Sequence, residues 1–157
     1  MAIVDIRELR AQVPRGRRII GLDPGTKTVG VAVSDVSGRL ATPLETLRRT
    51  KFRADALRLA HLISEHEVGG MVIGLPISMD GAEGPRCQSV RQFAENLLEV
   101  IDLPTAFWDE RLSTAAVERF LIGEADMTRA RRAQVIDRAA AAYILQGALD
   151  RMGAAER

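Results

Sequence analysis

Residues 21–35 have the sequence GLDPGTKTVGVAVSD, in which an acid follows one apolar run and a second acid follows another. Pro24 and Gly25 between the two runs are typical of a tight turn that joins two strands. Asp23 therefore ends the first strand, either as a turn residue or as the first member of an active site. Partners elsewhere in the chain must decide between these two hypotheses.

The composition is that of one globular domain without disulfides. The chain has 157 residues, of which 46% are hydrophobic, and this is enough for a buried core. Its 22 Lys and Arg residues balance 21 Asp and Glu residues, so the net charge neither indicates nor excludes a nucleic-acid partner. The single cysteine, Cys87, favours a reducing compartment. No apolar run approaches the roughly 20 residues of a membrane span, and residues 1–18 lack a secretory signal, so we expect a cytoplasmic protein without a membrane partner.

The order of the predicted elements indicates a mixed sheet. Residues 1–16 are polar and are predicted as a loose N-terminal arm with at most one helical turn, and residues 17–151 are predicted as one domain. The predicted strands are residues 17–23, 28–35, 39–47, 69–76 and 104–110. The predicted helices are residues 54–67, 86–100, 113–121 and 130–151.

Turn lengths and alternation then predict how these strands pair. Short turns join the first three strands into an antiparallel meander, and the later strands alternate with helices, which is typical of parallel pairing. Pro43 predicts an edge strand or an irregular strand end for the third strand. The expected fold class is α/β, with a mixed five-stranded sheet flanked by helices.

Three further acids are candidates for the same site as Asp23. Asp109 and Glu110 end the strand at 104–110, and only one of them can face a given cleft, because successive strand residues point to opposite faces. An isolated acidic strand end can also be merely solvated. Asp137 borders the apolar stripe of the last helix, where an acid costs stability unless it is paired, for example with a nearby arginine, or bound to a metal.

Acids that converge from two strand ends and one helix favour a hard divalent cation. Mg²⁺ and Mn²⁺ prefer oxygen ligands, and two such ions can activate a water and stabilise the leaving oxygen in phosphodiester cleavage. Thr26 and Lys27 in the turn are candidates for holding a phosphate, and Arg111 is a candidate for binding a phosphate or pairing with an acid. Further candidate phosphate contacts are two basic clusters: Arg48, Arg49, Lys51 and Arg53, and Arg129, Arg131 and Arg132.

Four blocks of the sequence together resemble the YqgF family, also called RuvX. They are GLDPGTKTVGVAVSD, VIGLPISMDGAEGPRCQSVRQFAENL, WDERLSTAAVERFL and IDRAAAAYILQGALD, and the resemblance extends over about residues 17–151. Members of this family are small RNase H-like proteins described as pre-16S rRNA nucleases. The resemblance thus implies an RNase H-like fold and a two-metal nuclease that uses Mg²⁺ or Mn²⁺.

The resemblance also assigns roles to particular residues. It implies that Asp23, Glu110 and Asp137 are catalytic and bind the metal, with Asp109 beside them. Which of Asp109 and Glu110 is the ligand stays open at this point. The substrate groove is implied to be shaped by Gly74, Leu75, Pro76 and residues 80–84.

Two departures from the family pattern bear on the substrate. Pro24 stands where many relatives have a bulky residue, and GLDPG is also similar to the Holliday-junction resolvase RuvC. TRARRAQVID precedes the last acid where relatives often have a Lys-rich segment, although positive charge is retained. The first departure favours the resolvase alternative, and the second keeps the positive charge that contact with phosphates requires.

The leading hypothesis is a nuclease that hydrolyses phosphodiester bonds in the 5′-end processing of precursor 16S rRNA. The alternatives are a Holliday junction resolvase acting on four-way DNA and a noncatalytic RNA- or ribosome-binding module. LDPGTKTVGVAV also resembles the phosphate hairpin of actin-like ATPases, but those proteins need two such domains. The expected partners are pre-rRNA or branched DNA and ribosomal precursor particles, and the chain is expected to act as a monomer or homodimer.

Overall fold

The computed structural model describes residues 3–78, 80–112 and 129–155, and in the last helix it describes the side chains of residues 138–153. The strands are β1 (Arg18–Pro24), β2 (Thr28–Ser34), β3 (Ala41–Arg48), β4 (Val68–Leu75) and β5 (Thr105–Asp109). The helices are α1 (Ile6–Gln12), α2 (Phe52–Glu65), α3 (Pro85–Leu98) and α4 (Arg129–Ala155), and a 3₁₀ turn (Glu110–Leu112) follows β5. The helix predicted at 113–121 lies outside the described residues. None of the helices in these ranges combines the length and apolar character that a bilayer crossing requires.

The five strands form one mixed sheet in the order β3-β2-β1-β4-β5. β1 pairs with β2 and β2 with β3 in antiparallel fashion, whereas β1 pairs with β4 and β4 with β5 in parallel. The predicted meander and the predicted parallel strands are therefore confirmed. β1 lies at the centre, where the antiparallel and parallel halves of the sheet meet.

Pro43 lies in β3, at a position where the sheet tolerates a proline. β3 lies at the edge of the sheet, and its pairing with β2 shifts register between Val31, which opposes Glu45, and Ala32, which opposes Pro43. An edge position with a register shift tolerates a residue that lacks a backbone N–H. The prediction from Pro43 is thus confirmed.

Alternating strand residues divide the core into two layers. Ile20, Leu22 and Ile73 pack on the α2 and α3 side of the sheet. Ile19 and Val72 belong to the other layer, with the apolar face of α4. Asp23 follows Ile19 and Gly21 in the same alternation, so β1 carries it on the α4 face.

The segment predicted as a polar arm contains helix α1. Asp5 caps this helix by accepting a hydrogen bond from the Arg7 backbone N–H at 2.9 Å. Leu9 is fully buried on the α4 side of the sheet, and the Val4 N–H donates to the Thr105 carbonyl at 2.8 Å. These contacts attach the segment beside β5.

Candidate active site

The carboxyl ends of β1 and β5 bring two of the predicted acids together. β1, β4 and β5 are parallel, so their carboxyl ends lie at one edge of the sheet, with β4 in the middle. Asp23 lies near the end of β1 and Glu110 comes directly after β5. Their side chains form a hydrogen bond with each other across the end of β4.

Gly74 on β4 leaves the space that this contact needs. A Cβ atom at Gly74 would lie 3.0 Å from Glu110 Oε1 and 2.6 Å from Ile144 Cδ1. The Glu110 side chain therefore lies directly above the β4 backbone and extends toward β1. A side chain at position 74 would compete with the Glu110 carboxyl group for the same volume.

The environment of the pair favours a shared proton. Burial, the hydrogen bond that protonated Asp23 donates to Glu110 and the negative charge of Glu110 raise the pKa of Asp23 to about 9, and the positive charge of Arg86 acts in the opposite direction. Two carboxyl groups this close cannot both ionise without repulsion, so one proton bridges them near neutral pH. A divalent cation in place of that proton would remove the repulsion.

Helix α4 crosses β1 at unusually close range. A Cβ atom at Gly21 would lie 2.7 Å from Leu145 Cβ and 3.2 Å from the Ala141 carbonyl oxygen. Further along the helix, Gln146 Oε1 accepts a hydrogen bond at 2.8 Å from the backbone N–H of Ala41, at the start of β3. Ala41 pairs with the end of β2, beside the amino end of β1. The helix therefore runs antiparallel to β1.

This direction brings the beginning of α4 toward the edge that holds Asp23. Asp137 precedes Ala141 by one helical turn, or about 6 Å along the axis at about 1.5 Å per residue. The Asp137 side chain lies outside the described part of the chain. Among the described side chains, no group of three or more His, Cys, Asp or Glu residues is arranged to hold a metal, so the described acidic cluster consists of Asp23 and Glu110.

Asp109 has a different partner from its neighbour Glu110. The Arg111 Nε atom donates to both Asp109 carboxylate oxygens, at 3.0 and 2.9 Å, and the Arg111 backbone N–H donates to Oδ1 at 3.0 Å. The side-chain hydrogen bond from Arg111 lowers the pKa of Asp109. The two adjacent acids are therefore separated, because one is neutralised by an arginine and the other faces Asp23.

The loop after β4 contacts the same arginine. Arg111 Nη1 donates to the Ser78 carbonyl at 3.4 Å, and a Cβ atom at Gly81 would lie 3.7 Å from that nitrogen. Gly81 has a φ of 89°, a conformation that glycine adopts without strain. Leu75 is buried at the end of β4 and Pro76 is half-buried. Residues 80–84 thus lie on the Arg111 side of the acidic pair.

The remaining predicted binding residues fall into two groups. Thr26 and Lys27 are exposed in the β1–β2 turn, which is held by a hydrogen bond from the Gly25 N–H to the Thr28 carbonyl at 2.7 Å. The side chains of Arg129, Arg131 and Arg132 lie outside the described residues. The basic cluster after β3 is exposed at Arg48, Lys51 and Arg53, and half-buried at Arg49.

Arg86 is a residue near the pair that the sequence did not identify. It lies in the first turn of α3, and its positive charge favours the ionised form of Asp23. Asp23 and Arg86 are 63 positions apart, and no local pattern connects them. Only the packing of α3 beside the end of β1 brings the two side chains together.

Comparison with known sequences gives relatives over almost the whole chain. The family model of RuvX, described as "Holliday junction resolvase", matches residues 17–151. A Rhodospirillum rubrum protein named "Putative pre-16S rRNA nuclease" is 60% identical over 150 residues, which cover 96% of this chain and 93% of that protein. A Phenylobacterium zucineum protein of the same name is 59% identical, with coverage of 97% and 98%.

Two Holliday junction resolvases are among the solved structures whose fold is similar to that of this chain. Thermus thermophilus RuvC in complex with a Holliday junction matches with a TM-score of 0.56 and 17% identity, over 87% of this chain and 96% of that one. The fowlpox virus resolvase in complex with junction DNA matches with a TM-score of 0.54 and 9% identity, over 86% and 98%. At these identities the likeness concerns the fold, and it confirms the predicted RNase H-like class.

Proposed function

The chain belongs to the RuvX family, and on that premise we propose that it is a metal-dependent nuclease that processes the 5′ end of precursor 16S rRNA. The observation that carries the proposal is the hydrogen-bonded pair of Asp23 and Glu110 at the carboxyl edge of the sheet. The names of relatives with 59–60% identity support RNA as the substrate. We further propose that the protein acts in the cytoplasm and encounters this RNA in ribosomal precursor particles.

The residues of the pair fit a hard divalent cation. Both donors are carboxylates, the ligands that Mg²⁺ and Mn²⁺ prefer. Their mutual repulsion, together with the raised pKa of Asp23, is what a cation between them would relieve. Asp23 and Glu110 would hold the ion, and Asp137 is the proposed third ligand because α4 begins on the side of this edge and runs antiparallel to β1. When bound, such ions activate a water and stabilise the leaving oxygen of a phosphodiester.

Glu110 rather than Asp109 is the proposed ligand. The Arg111 guanidinium already neutralises the charge of Asp109, and recruiting Asp109 to a metal would break four hydrogen bonds from Arg111. We assign Asp109 and Arg111 to positioning, because their pair fixes the chain where it leaves β5 and begins the 3₁₀ turn. Arg111 also contacts Ser78, and this contact couples the acidic edge to the loop after β4.

Substrate contacts are proposed for the basic residues around the pair. Thr26 and Lys27 are exposed in the turn that directly follows Asp23, where they can donate to phosphate oxygens. Arg129, Arg131 and Arg132 belong to the beginning of α4, the end of the helix that is directed toward the same edge. A nucleic-acid strand that crosses the carboxyl edge of the sheet would pass both the β1–β2 turn and these arginines.

The test is a cleavage assay on two substrates side by side. Labelled precursor 16S rRNA and a labelled four-way DNA junction are incubated with the protein in Mg²⁺, in Mn²⁺ and in EDTA. We expect 5′-end cleavage of the RNA that requires metal and is lost in Asp23→Asn and in Glu110→Gln. Asp35→Asn is the matched control, because Asp35 lies in the loop after β2, where it accepts hydrogen bonds from the Ser37 hydroxyl group and the Arg39 backbone N–H. RNA cleavage that persists in either active-site variant would contradict the proposal.

A second candidate is the cleavage of four-way DNA. It is favoured by the family description and by Pro24, which continues β1 opposite Val29 and follows the first acid as in RuvC-like sequences. Junction cleavage without RNA cleavage in the same assay would favour this candidate. Binding of RNA without cleavage of either substrate would instead indicate a noncatalytic RNA-binding module.

A further inference from the structure

A cleft of about 380 Å³ opens between the β1–β2 turn and α3, at the same end of β1 as Asp23. Pro24, the residue after Asp23, forms part of its wall. The polar residues of the lining are two arginines and three residues with hydroxyl groups: Arg49, Arg86, Thr26, Thr50 and Ser89. Among the described residues no Asp or Glu lines the cleft, so its charge is opposite to that of the acidic pair.

Arg49 is held in place within this cleft. Its guanidinium carbon lies 5.0 Å from the centre of the Phe93 ring, and its Nη1 donates to the Gly25 carbonyl at 2.5 Å. In the described part of the chain, Arg49 forms no salt bridge with an acidic side chain. A guanidinium has five N–H donors in a planar fork, so most of the Arg49 donors remain available for a ligand. Because stacking on Phe93 already restricts the Arg49 side chain, less conformational entropy is lost when the guanidinium binds a ligand.

Arg86 connects the cleft with the acidic pair. It is exposed in the first turn of α3, a turn without any acidic residue. Its positive charge acts on the Asp23 carboxyl group, and the same residue lines the cleft. Two guanidinium groups around one small space repel each other unless an anion lies between them. A phosphate is well suited to that position, because arginines bind its oxygens through parallel hydrogen bonds.

We propose that this cleft binds a backbone phosphate of a nucleic-acid strand, next to the phosphodiester that lies at Asp23 and Glu110. Arg49 and Arg86 donate to this phosphate, and the hydroxyl groups of Thr26 and Ser89 complete the site. The inference rests on the proposed nuclease function and adds the position of the strand, which runs from the cleft past the β1–β2 turn to the acidic pair. Because the contact is to the backbone, it positions the strand without reading its sequence.

The test measures binding without cleavage. A fluorescent single-stranded RNA from the 5′ region of the precursor is titrated with protein in EDTA over a series of salt concentrations. We expect Arg49→Ala and Arg86→Ala each to weaken binding roughly tenfold and to reduce the log–log salt slope by about 0.7. Arg15→Ala is the matched control, because Arg15 is exposed in the loop before β1, at the opposite end of that strand. Equal losses in all three variants, or no loss in the first two, would overturn the proposal.

Two further measurements separate a phosphate contact from a structural effect. Arg49→Lys keeps the charge but not the planar fork, so it should restore the salt slope without restoring the full affinity. In an RNA with one neutral methylphosphonate at successive positions, one position should weaken binding to the wild type but not to Arg49→Ala or Arg86→Ala. The absence of any such position would overturn the proposal, even if both variants bind weakly.

These outcomes are independent of the nuclease assay. If the binding tests show no phosphate contact in the cleft but the protein cleaves RNA in a metal-dependent manner, the proposed phosphate site is refuted and the proposed nuclease function stands. A confirmed cleft contact in a protein that cleaves neither substrate would refute the proposed function and retain the phosphate site.

Discussion

Replacing Asp23 with Asn should stabilise the metal-free protein. In the folded protein Asp23 has a pKa of about 9, whereas in the unfolded chain it ionises near 4. The folded state therefore binds a proton that the unfolded state releases at neutral pH, and this lowers the free energy of unfolding as the pH rises above 4. The Asn amide carries no ionisable proton and can still donate a hydrogen bond to the Glu110 carboxylate.

The size of the effect follows from the pKa of Asp23. Between its ordinary value of 3.8 and pH 7, each pH unit contributes about 1.4 kcal/mol, so the upper limit is about 4 kcal/mol. Asp23 is half-buried, so solvent screens part of this energy. We expect a gain of about 1–3 kcal/mol at pH 7, which corresponds to a rise in Tm of roughly 3–10 °C for a chain of this length. The gain should disappear near pH 4, where both states bind the proton.

The assay is thermal unfolding in EDTA at pH values between 4 and 8. Asp35→Asn provides a control of opposite sign, because hydrogen bonds from Ser37 and from the backbone lower the pKa of Asp35. Its stabilising contribution is present above pH 4 and is lost below, so this variant should melt at a lower temperature at pH 7. Addition of Mn²⁺ should raise the Tm of the wild type but not that of Asp23→Asn. An Asp23→Asn protein that melts at or below the wild-type temperature throughout this pH range would refute the reasoning.

Two other substitutions test the neighbours of the pair. Gly74→Ala should reduce cleavage strongly and lower stability by about 1–3 kcal/mol, because the new methyl group would lie 3.0 Å from Glu110 Oε1. Gly153→Ala is the control and should leave activity unchanged, because nothing lies within 4 Å of its Cβ position. Similar cleavage rates in the two variants would show that the space at Gly74 does not control the position of Glu110. Asp109→Asn should lower stability by about 1 kcal/mol at pH 7 through loss of the charge-assisted pair with Arg111. This loss should diminish as the pH falls, since the carboxylate with the lowered pKa is then protonated; a pH-independent loss in thermal unfolding would contradict the assigned pairing.

Local chemistry was sufficient to predict the sheet. Turn residues after Asp23 and the apolar alternation in β1 and β2 define an antiparallel hairpin, and Pro43 marks the irregular edge strand. Alternation along the predicted strand 104–110 also predicted different surroundings for Asp109, which ends β5, and Glu110, which begins the 3₁₀ turn. It did not indicate which acid faces Asp23, because the answer depends on the empty space above Gly74 and on the arginine that follows.

Contacts between segments that are distant in the sequence could not be predicted from local patterns. The helix α1 has only seven residues, too few for a clear amphipathic period, so the burial of Leu9 was not visible in its polar surroundings. Arg49 and Arg86 belong to different elements, and only the packing of α3 beside the β1–β2 turn makes them the walls of one cleft. The role of Asp137 stays a prediction, supported by the direction of α4.

The most direct test of the acidic pair compares the two neighbouring acids in one assay. The rate of metal-dependent cleavage of labelled precursor 16S rRNA is measured for Glu110→Gln and for Asp109→Asn at a temperature at which both variants are folded. If Glu110 and Asp23 hold the catalytic metal, Glu110→Gln should lose on the order of a hundredfold or more in rate, while Asp109→Asn keeps most of its activity. An active Glu110→Gln together with an inactive Asp109→Asn would contradict this assignment and would place the catalytic centre on the other face of β5.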